Sequence, residues 1–264
     1  MSYGILVDTT KCRGCEQCVL ACATKHGTPE PQTIQEKVLN RDGLSAYRPT
    51  DVRDISPGHF AKISCMHCLE PSCVSACLVG GITKTKAGPV IYDREKCIGC
   101  RYCMLACPFH IPRYEWDKIV PYMAKCDLCF DRLEKGELPA CVDACPEKAL
   151  KFGNRDKLLS VARTAIKNND DMYLDHIWGE KEFGGTSILY ISDVDLSALG
   201  WPEPIPASIP SLTEPLIHTT PIIGMTVAGA LLAVNWTVKR RMKLAAEDRQ
   251  NISESNSTEK KDHE

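Results

Sequence analysis

Cysteine content is the strongest constraint on this chain of 264 residues, because its sixteen cysteines fall into four groups of four with none left over. Groups one to four comprise, in order, Cys12, Cys15, Cys18 and Cys22; Cys65, Cys68, Cys73 and Cys77; Cys97, Cys100, Cys103 and Cys107; and Cys126, Cys129, Cys141 and Cys145. Groups one and three share the spacing C-x2-C-x2-C-x3-C, whereas the middle gap widens to four residues in group two and eleven in group four. A regular pattern of this density indicates metal binding.

The spacing predicts [4Fe-4S] clusters as the bound metal. The run C-x2-C-x2-C-x3-C is typical of bacterial ferredoxins, in which the fourth cysteine ligates the other cluster of a pair. The reason is geometric: three closely spaced thiolates on a turn hold three irons of one cubane. The fourth thiolate, on the helix that follows, points toward a neighbouring cubane. We therefore expect four [4Fe-4S] clusters, with all sixteen cysteines as ligands.

Other uses of cysteine fit the spacing less well. Disulfides would join residues two apart in the sequence, which the geometry of the bridge resists. Structural zinc needs two C-x-x-C knuckles per ion and has no use for a third cysteine after two further residues. A redox C-x-x-C would be a single motif. A zinc-binding, cysteine-rich assembly protein stays open as an alternative, and it would be colourless and lack labile sulfide.

Internal repetition indicates an α+β fold. The pattern of residues 8–15 recurs at residues 93–100, and alanine precedes the last cysteine of every group. Short apolar segments at 4–7 and 89–92 predict strands before groups one and three. Ile82 and residues 149–152 predict the strands that close each module. Strand, cysteine loop and short helix, repeated, predict a ferredoxin-like arrangement.

Gap lengths predict that two double-cluster modules are nested. Forty-two residues separate group one from group two, but only nineteen and eighteen separate the later groups. We expect an inner module at about residues 62–110 and an outer module formed by residues 1–25 with residues 120–155. Together they would form a four-cluster domain over residues 1–160, with an extension at 161–200 that contacts partner subunits.

Specific segments resemble a known family. Residues 97–113, residues 125–129 and residues 138–146, with the Gly-Gly-Thr at 184–186, are similar to the four-cluster electron-transfer subunits of membrane oxidoreductases. The nearest members are the beta subunits of respiratory formate dehydrogenases and the similar small subunits of uptake hydrogenases. The resemblance covers most of residues 1–240.

The resemblance implies crossed ligation in four sets. Set I would be Cys12, Cys15, Cys18 and Cys145; set II, Cys22, Cys126, Cys129 and Cys141; set III, Cys65, Cys68, Cys73 and Cys107; and set IV, Cys77, Cys97, Cys100 and Cys103. It also implies two protein partners. One is a catalytic subunit, with a molybdenum or tungsten pterin or a [NiFe] centre, and the other is an integral membrane subunit that contains cytochrome b or interacts with quinone.

A membrane helix is predicted near the carboxyl end. Residues 215–238 contain no Asp, Glu, Lys or Arg, and twenty-four residues are long enough to cross a hydrocarbon core of about 30 Å. A proline-rich linker at 201–214 precedes this segment. Residues 239–264 follow as a basic and then polar tail that we expect to be disordered. The lipid bilayer is thus an expected partner, and the terminal helix disfavours both a free ferredoxin-like carrier and the dimethyl sulfoxide and polysulfide reductase types.

The basic run Lys239–Lys243 predicts a cytoplasmic tail, since basic residues next to a membrane helix favour that side. The cluster domain would then lie on the outer, periplasmic face of a single-pass protein. The first residues show no basic region followed by an apolar stretch, so no signal peptide is predicted. The formate dehydrogenase resemblance suggests export of the folded domain with a partner that carries a twin-arginine signal.

No catalytic motif accompanies the clusters. There is no phosphate-binding loop in a strand-to-helix context, no nucleophile elbow and no HExxH motif. The net charge of -2 gives no basic footprint, so nucleic acid is not expected as a partner. We expect a non-catalytic electron-transfer subunit, with formate dehydrogenase as the first candidate complex and an uptake [NiFe] hydrogenase as the alternative.

Several residues beside the ligands are candidates for tuning the clusters. His67 and His110 are expected to hydrogen-bond to sulfur or backbone, which tunes potential. Tyr92, Tyr102 and Phe109 are expected to pack around the clusters and exclude water. Five basic residues flank ligands and either offset negative charge or lie exposed in salt bridges: Lys11, Arg13, Lys96, Arg101 and Lys125.

Overall fold

The structure is a computed structural model that describes residues 2–28, 43–203 and 205–259, with side chains to residue 249. The described strands are β1 (Tyr3–Asp8), β2 (Thr50–Ser56), β3 (His59–Ser64), β4 (Ile82–Lys84), β5 (Val90–Tyr92), β6 (Arg113–Tyr114), β7 (Met123–Ala124), β8 (Leu150–Asn154) and β9 (Ile188–Ile191). The described α-helices are α1 (Gln17–His26), α2 (Ser72–Ser75), α3 (Tyr102–Ala106), α4 (Phe130–Glu134), α5 (Ala140–Asp143), α6 (Arg155–Asn168) and α7 (Ile209–Glu259). The chain forms two units, Met1–Leu212 and Thr213–Glu264.

A three-stranded sheet in the order β8-β1-β9 organises the first unit. Strand β1 is antiparallel to β8 and parallel to β9. Successive side chains of a strand point to opposite faces. Accordingly Ile5 and Val7 join the core that contains cysteines, while Leu6 packs with Leu158 and Ala162 of α6. Both faces of β1 are therefore covered, which explains its continuous apolar run.

The four strands expected around the cysteine groups are confirmed. Strand β1, before group one, pairs with β8, which follows group four, over five residue pairs. Strand β4, after group two, pairs with β5, which precedes group three, over three residue pairs. The long gap between groups one and two contains the antiparallel β2–β3 hairpin, and residues 29–42 of that gap lie outside the described residues.

The domain boundary expected at residue 160 does not separate two structural units. It falls within α6, and β9 of the expected 161–200 extension pairs with β1 in the central sheet. Two hydrogen bonds from Asp156 and Lys157 N–H groups to the Asn154 side chain cap the start of α6. The extension is therefore part of the same unit as the cysteine groups, because its strand completes their sheet.

The terminal helix is longer than expected at both ends. The expected linker at 201–214 is wrong after residue 208, because α7 begins at Ile209. The Ser211 N–H donates to Ser208 Oγ at 3.2 Å, which caps the first turn, where Pro210 is tolerated. The expected disorder after residue 239 is also wrong as far as Glu259. Residues 238–249 are rich in strong helix formers, and Lys243 pairs with Glu247 one turn on.

Helix α7 is long and apolar enough to cross a membrane over Ile209–Arg249, with a mean hydropathy of 1.6 in its best window. None of that window is buried in protein. Its threonine hydroxyls bond to carbonyls of the preceding turn, as Thr226 does to Ile222 at 2.8 Å and Thr237 to Ala233 at 2.8 Å. These bonds lower the cost of placing hydroxyl groups in lipid.

Candidate iron–sulfur centres

Each C-x-x-C motif turns through a left-handed residue at the same position. The residue before the second cysteine has a positive φ in all four groups: Gly14 (70°), His67 (46°), Gly99 (71°) and Leu128 (59°). Glycine adopts this conformation readily, whereas other residues adopt it at a cost. The same backbone turn therefore occurs in all four groups, including the two whose sequences lack the glycine.

Backbone N–H groups point at several of the cysteine sulfur atoms. The donors and acceptors are Gly81 to Cys77 (3.2 Å), Gly99 to Cys97 (3.4 Å) and Leu128 to Cys126 (3.4 Å). A hydrogen bond to sulfur stabilises the thiolate form, which is the form that binds metal. In groups three and four, the left-handed turn thus prepares the first cysteine of the motif for metal binding.

Two pockets are each lined by four cysteines that come from two different groups. The first pocket brings Cys12, Cys15 and Cys18 of group one together with Cys145 of group four. The second brings Cys97, Cys100 and Cys103 of group three together with Cys77 of group two. These combinations are those of sets I and IV.

The remaining eight cysteines lie among neighbours that correspond to sets II and III. The pKa of Cys22 is raised to about 12, first by burial and then by the charges of Cys141 and Cys129. In the same way, burial and the charges of Cys65 and Cys107 raise the pKa of Cys68. Groups one and four therefore meet at one place, and groups two and three at another.

The cysteines are available as metal ligands, because all sixteen are free thiols. Among the residues that the structure describes, no set of three His, Cys, Asp or Glu side chains is arranged to hold a single metal ion. Burial raises the pKa of Cys18 and Cys73 to about 12, so these thiols need a bound metal to ionise at neutral pH.

Three lysines lie among the cysteine sets, Lys62 and Lys125 buried and Lys84 partly buried, and only Lys125 was expected there from its sequence neighbours. Lys125 donates to the Cys126 carbonyl at 3.1 Å, and Lys84 donates to the carbonyls of His67 at 3.0 Å and Cys68 at 2.8 Å. Lys62 is 3% exposed on β3. Its position in an apolar strand just before group two was the signal in the sequence.

The other flanking basic residues lie on the surface. Lys11 pairs with Asp8 and Lys96 with Asp93. Of the two alternatives given for these lysines, the structure therefore favours exposed salt bridges. The exposed Arg101 guanidinium stacks 4.4 Å from the Trp116 ring centre, and Arg13 is exposed.

The two histidines differ. His67 is fully buried, and its Nδ1 accepts a hydrogen bond from the Val90 N–H at 2.9 Å, as expected for a bond to backbone. Its Nε2 has no hydrogen-bond partner among the residues that the structure describes. Burial, together with the positive charges of Lys125 and Lys84, lowers the pKa of His67 well below its usual value, so the ring is neutral. His110 is exposed.

Packing around the sites follows the expectation for two of the three aromatic residues. Phe109 is buried and packs edge-on against Phe183 at 5.2 Å and Trp201 at 5.7 Å between ring centres. Tyr92 is half-buried and lines the set IV pocket. The expectation is wrong for Tyr102, which is 50% exposed because it lies on the outer side of α3.

Sets I and IV each have one exposed cysteine, Cys15 and Cys100, but their surroundings differ. Exposed apolar side chains surround set IV, and we call them the apolar rim: Leu78, Val79, Ile98, Tyr102, Leu105 and Trp116. Three rim residues have counterparts around set I through the internal repeat, and two of those counterparts are polar. Ile98 and Tyr102 correspond to Arg13 and Gln17, whereas Leu105 corresponds to the exposed Leu20.

Comparisons with known proteins identify the family. The 4Fe-4S dicluster domain matches residues 58–155. A protein of Nitratidesulfovibrio vulgaris is 38% identical over 257 residues, which cover 94% of this chain and 70% of that protein. The hydrogenase-2 operon protein HybA of Escherichia coli O157:H7 is 34% identical over 278 aligned residues, covering 91% of this chain and 84% of HybA.

A shorter match is found with a subunit of the anaerobic dimethyl sulfoxide reductase of Escherichia coli K12. That subunit is 39% identical over 158 residues, which cover 59% of this chain and 75% of the reductase subunit. The matches and the cysteine sites agree on what the chain does: it is a non-catalytic partner in a redox complex. The chain belongs to the family of 4Fe-4S electron-transfer subunits of respiratory oxidoreductases.

Proposed function

We propose that this chain binds four [4Fe-4S] clusters, one in each of sets I to IV, and conducts electrons between a catalytic subunit and a membrane subunit. The observation that carries the proposal is the pair of pockets, each lined by three cysteines of one group and the last cysteine of another. Crossed ligation of this kind is what the ferredoxin spacing requires. The β1–β8 and β4–β5 pairings support an inner module nested in an outer one.

The neighbours of the buried side chains suggest the order of the sets. Lys62 lies in the electrostatic field of Cys18 from set I and of Cys126 and Cys141 from set II. Lys125 precedes Cys126 of set II and acts on Cys73 of set III. Cys73 is in turn influenced by Cys103 of set IV. We infer the linear order I, II, III, IV, with sets I and IV at the two ends.

The chain's own residues hold, insulate and polarise these sites. A bound [4Fe-4S] cluster supplies a one-electron redox centre whose potential depends on hydrogen bonds to sulfur, burial and charge. Backbone N–H groups bond to sulfur at Cys77, Cys97 and Cys126. Buried side chains such as Phe109 and Leu128 exclude water.

We propose that the set IV end docks on the integral membrane subunit. The apolar rim is exposed in this chain, and permanent subunit interfaces are more apolar than transient ones. Its Tyr102 and Trp116, with Arg101 beside them, are residue types that are enriched where a protein meets the membrane surface. The polar set I end then faces the catalytic subunit.

For the catalytic partner we propose a hydrogenase. The support is that similarity to HybA, a hydrogenase-2 operon protein, extends over 91% of this chain. The formate dehydrogenase partner expected from the sequence stays a prediction and is the second candidate, supported by the motifs at 97–113 and 138–146.

Metal analysis of the complex, purified anaerobically from membranes, separates the candidates. Nickel in a fixed ratio to this chain supports the hydrogenase. Molybdenum or tungsten without nickel would replace it with a formate dehydrogenase-type partner. Zinc with no acid-labile sulfide would overturn the electron-transfer proposal as a whole.

We also propose that α7 anchors the chain in the lipid bilayer, with the cluster domain on the periplasmic face and the tail in the cytoplasm. Support comes from the charge-free segment at 215–238 and from the basic residues that follow it. Arg240 lies 5.3 Å from the Trp236 ring centre, so a cationic and an aromatic anchor share one level of the helix.

Surface labelling tests this topology. A membrane-impermeant amine reagent applied to intact spheroplasts should modify the exposed Lys157 and Lys167 of α6. A fluorescent protein that folds only in the cytoplasm, fused to the carboxyl end, should be active. Labelling of α6 only after the membrane is broken would contradict the periplasmic location.

A further inference from the structure

Lys62 is a buried cation that is not paired with a carboxylate of the described residues. The side chain is 3% exposed, and lysine is almost never buried to this extent unless it is paired. Among the described residues, Ser64 Oγ is its only hydrogen-bond partner, at 2.9 Å, and no carboxylate pairs with it. A buried charge without compensation is costly, so some other negative charge must lie close by.

The buried Lys125 and the partly buried Lys84 have a structural explanation that Lys62 lacks. Lys84 donates to two backbone carbonyls, those of His67 and Cys68. Lys125 likewise donates to carbonyl groups, including that of Cys126 at 3.1 Å. Both ammonium groups therefore hold cysteine loops in place. The ammonium group of Lys62 contacts a single neutral hydroxyl.

Cysteines of two different sets surround Lys62. It lines the set I pocket together with Cys12, Cys15, Cys18 and Cys145. Its strongest electrostatic neighbours also include Cys141 and Cys126 of set II. Strand pairing with β2 and a hydrogen bond from the Tyr190 hydroxyl to the Lys62 carbonyl, at 2.9 Å, hold this part of β3 in place.

We propose that the Lys62 ammonium is a shared counter-charge between sets I and II and raises the reduction potentials of the two clusters bound there. This inference rests on the proposed function, because it requires clusters in both sets. A cluster with four thiolate ligands is anionic and gains one more negative charge on reduction. A fixed positive charge nearby therefore favours the reduced state of both clusters.

On this account Lys62 places a positive charge beside the clusters and does not bind iron. The measurement that tests this role is the reduction potential of each cluster. The substitution Lys62→Met keeps the length of the side chain and removes its charge. The midpoint potentials of the clusters in this complex are measured by a redox titration that electron paramagnetic resonance follows. We expect two of the four cluster transitions to move to lower potential. At the wild-type midpoint, the ratio of reduced to oxidised cluster should fall about tenfold, which equals 59 mV for one electron.

Two further variants keep the test decisive. Lys62→Arg retains the charge and should leave both midpoints close to wild type. Lys84→Met removes a partly buried cation near set III, so any shift it causes should appear in a transition other than the two moved by Lys62→Met. Lys62→Met could also fail to bind the clusters of sets I and II, the outer clusters, while Lys62→Arg binds them. A lower iron count in Lys62→Met alone would then support the requirement for a positive charge at residue 62.

Unchanged midpoints in Lys62→Met with full iron content would overturn the inference. Loss of the outer clusters in both Lys62→Met and Lys62→Arg would also overturn it, because the shape of lysine and not its charge would then be required. Failure of the proposed function is distinguishable, since native mass spectrometry of the wild-type complex would then find no Fe4S4 units on this chain.

Discussion

The outer pair of cysteine sets, I and II, and the inner pair, III and IV, share one motif but have different support. The outer pair lies beside the three-stranded sheet, which α6 covers. The inner pair has only two-stranded sheets, β4–β5 with three residue pairs and β6–β7 with two. The inner end has the apolar rim, whereas at the outer end polar Arg13 and Gln17 take the places of Ile98 and Tyr102. From this difference we expect the outer pair to be stabilised within this chain and the inner pair to depend on bound clusters and on a partner.

Removing one ligand from each pair should give the largest effects and test this comparison. Both Cys18→Ser and Cys103→Ser remove a buried cysteine, and each should lose one cluster. In both variants, electron transfer to the membrane acceptor should fall to background, while the catalytic subunit still reduces or oxidises soluble dyes.

The two variants should differ in proteolysis. Cys103→Ser should expose residues 72–124 to limited digestion, because little secondary structure remains there without the cluster. Cys18→Ser should leave the sheet resistant. Equal protection of both variants would show that the inner pair is as self-sufficient as the outer pair, and full membrane coupling in either would contradict a series arrangement.

Truncation at the apolar rim is expected to have the next largest effect. Trp116→Ala should weaken binding of the membrane subunit by about 2 kcal/mol, roughly thirtyfold, because exposed tryptophans at interfaces are frequent hot spots. The fraction of complex that survives detergent extraction and gel filtration measures this loss. Gln17→Ala, which removes a polar side chain at the set I end, is the control and should change nothing at the membrane subunit. A stable complex with Trp116→Ala would place the membrane subunit elsewhere.

Much of this organisation could be predicted from the sequence, and the limits have physical causes. Spacing and repetition predicted the cysteine groups and the four flanking strands, because short local patterns determine them. Strand β9 could not be assigned to the central sheet, since its pairing with β1 joins residues far apart in the chain. Lys62 was missed although a lysine in an apolar strand before group two is a signal, because the sequence does not show that this strand lies between groups one and four.

The repeated glycines offer a smaller, matched test. Gly14 and Gly99 have nearly the same φ, 70° and 71°. A Cβ on Gly14 would lie 2.9 Å from the Phe60 ring, whereas a Cβ on Gly99 meets nothing within 4 Å. Gly99→Ala should therefore cost about 1 kcal/mol for the left-handed backbone alone. Gly14→Ala should cost about 2 to 4 kcal/mol, because crowding adds to the backbone strain.

Thermal loss of the visible cluster absorbance under anaerobic conditions ranks these two variants. Gly14→Ala should lose its colour at the lower temperature, and the added substitution Phe60→Leu should restore part of the difference. If the two alanine variants lose their absorbance at the same temperature, the β2–β3 hairpin beside set I must move enough to accommodate the added methyl group.

The smallest effect concerns an ion-pair link that joins groups one and four. Lys25 of α1 pairs with Asp127 at 3.2 Å and with Asp131 at 2.7 Å. Lys25→Met should cost only about 0.5 to 1 kcal/mol, because Asp131 is largely exposed. The hydrogen bond from Lys25 lowers the pKa of Asp131. The pair therefore stabilises the fold above the ordinary aspartate pKa of about 4, and this contribution is lost as the pH falls through the lowered value.

The difference in unfolding free energy between wild type and Lys25→Met should thus be full at about pH 6 and shrink below about pH 4. Urea titration of both proteins after removal of the clusters measures it at the two pH values, because bound clusters are lost in acid. A difference that grows on acidification would show that Lys25 acts other than through these carboxylates.

The central claim is that this chain carries one [4Fe-4S] cluster in each of its four cysteine sets. Native mass spectrometry of the anaerobically purified complex, resolved to this subunit, counts the clusters without interference from iron in its partners. We predict a mass excess of four Fe4S4 units, about sixteen irons with equal sulfide. A subunit that carries two cluster masses, or zinc with no sulfide, would contradict the claim.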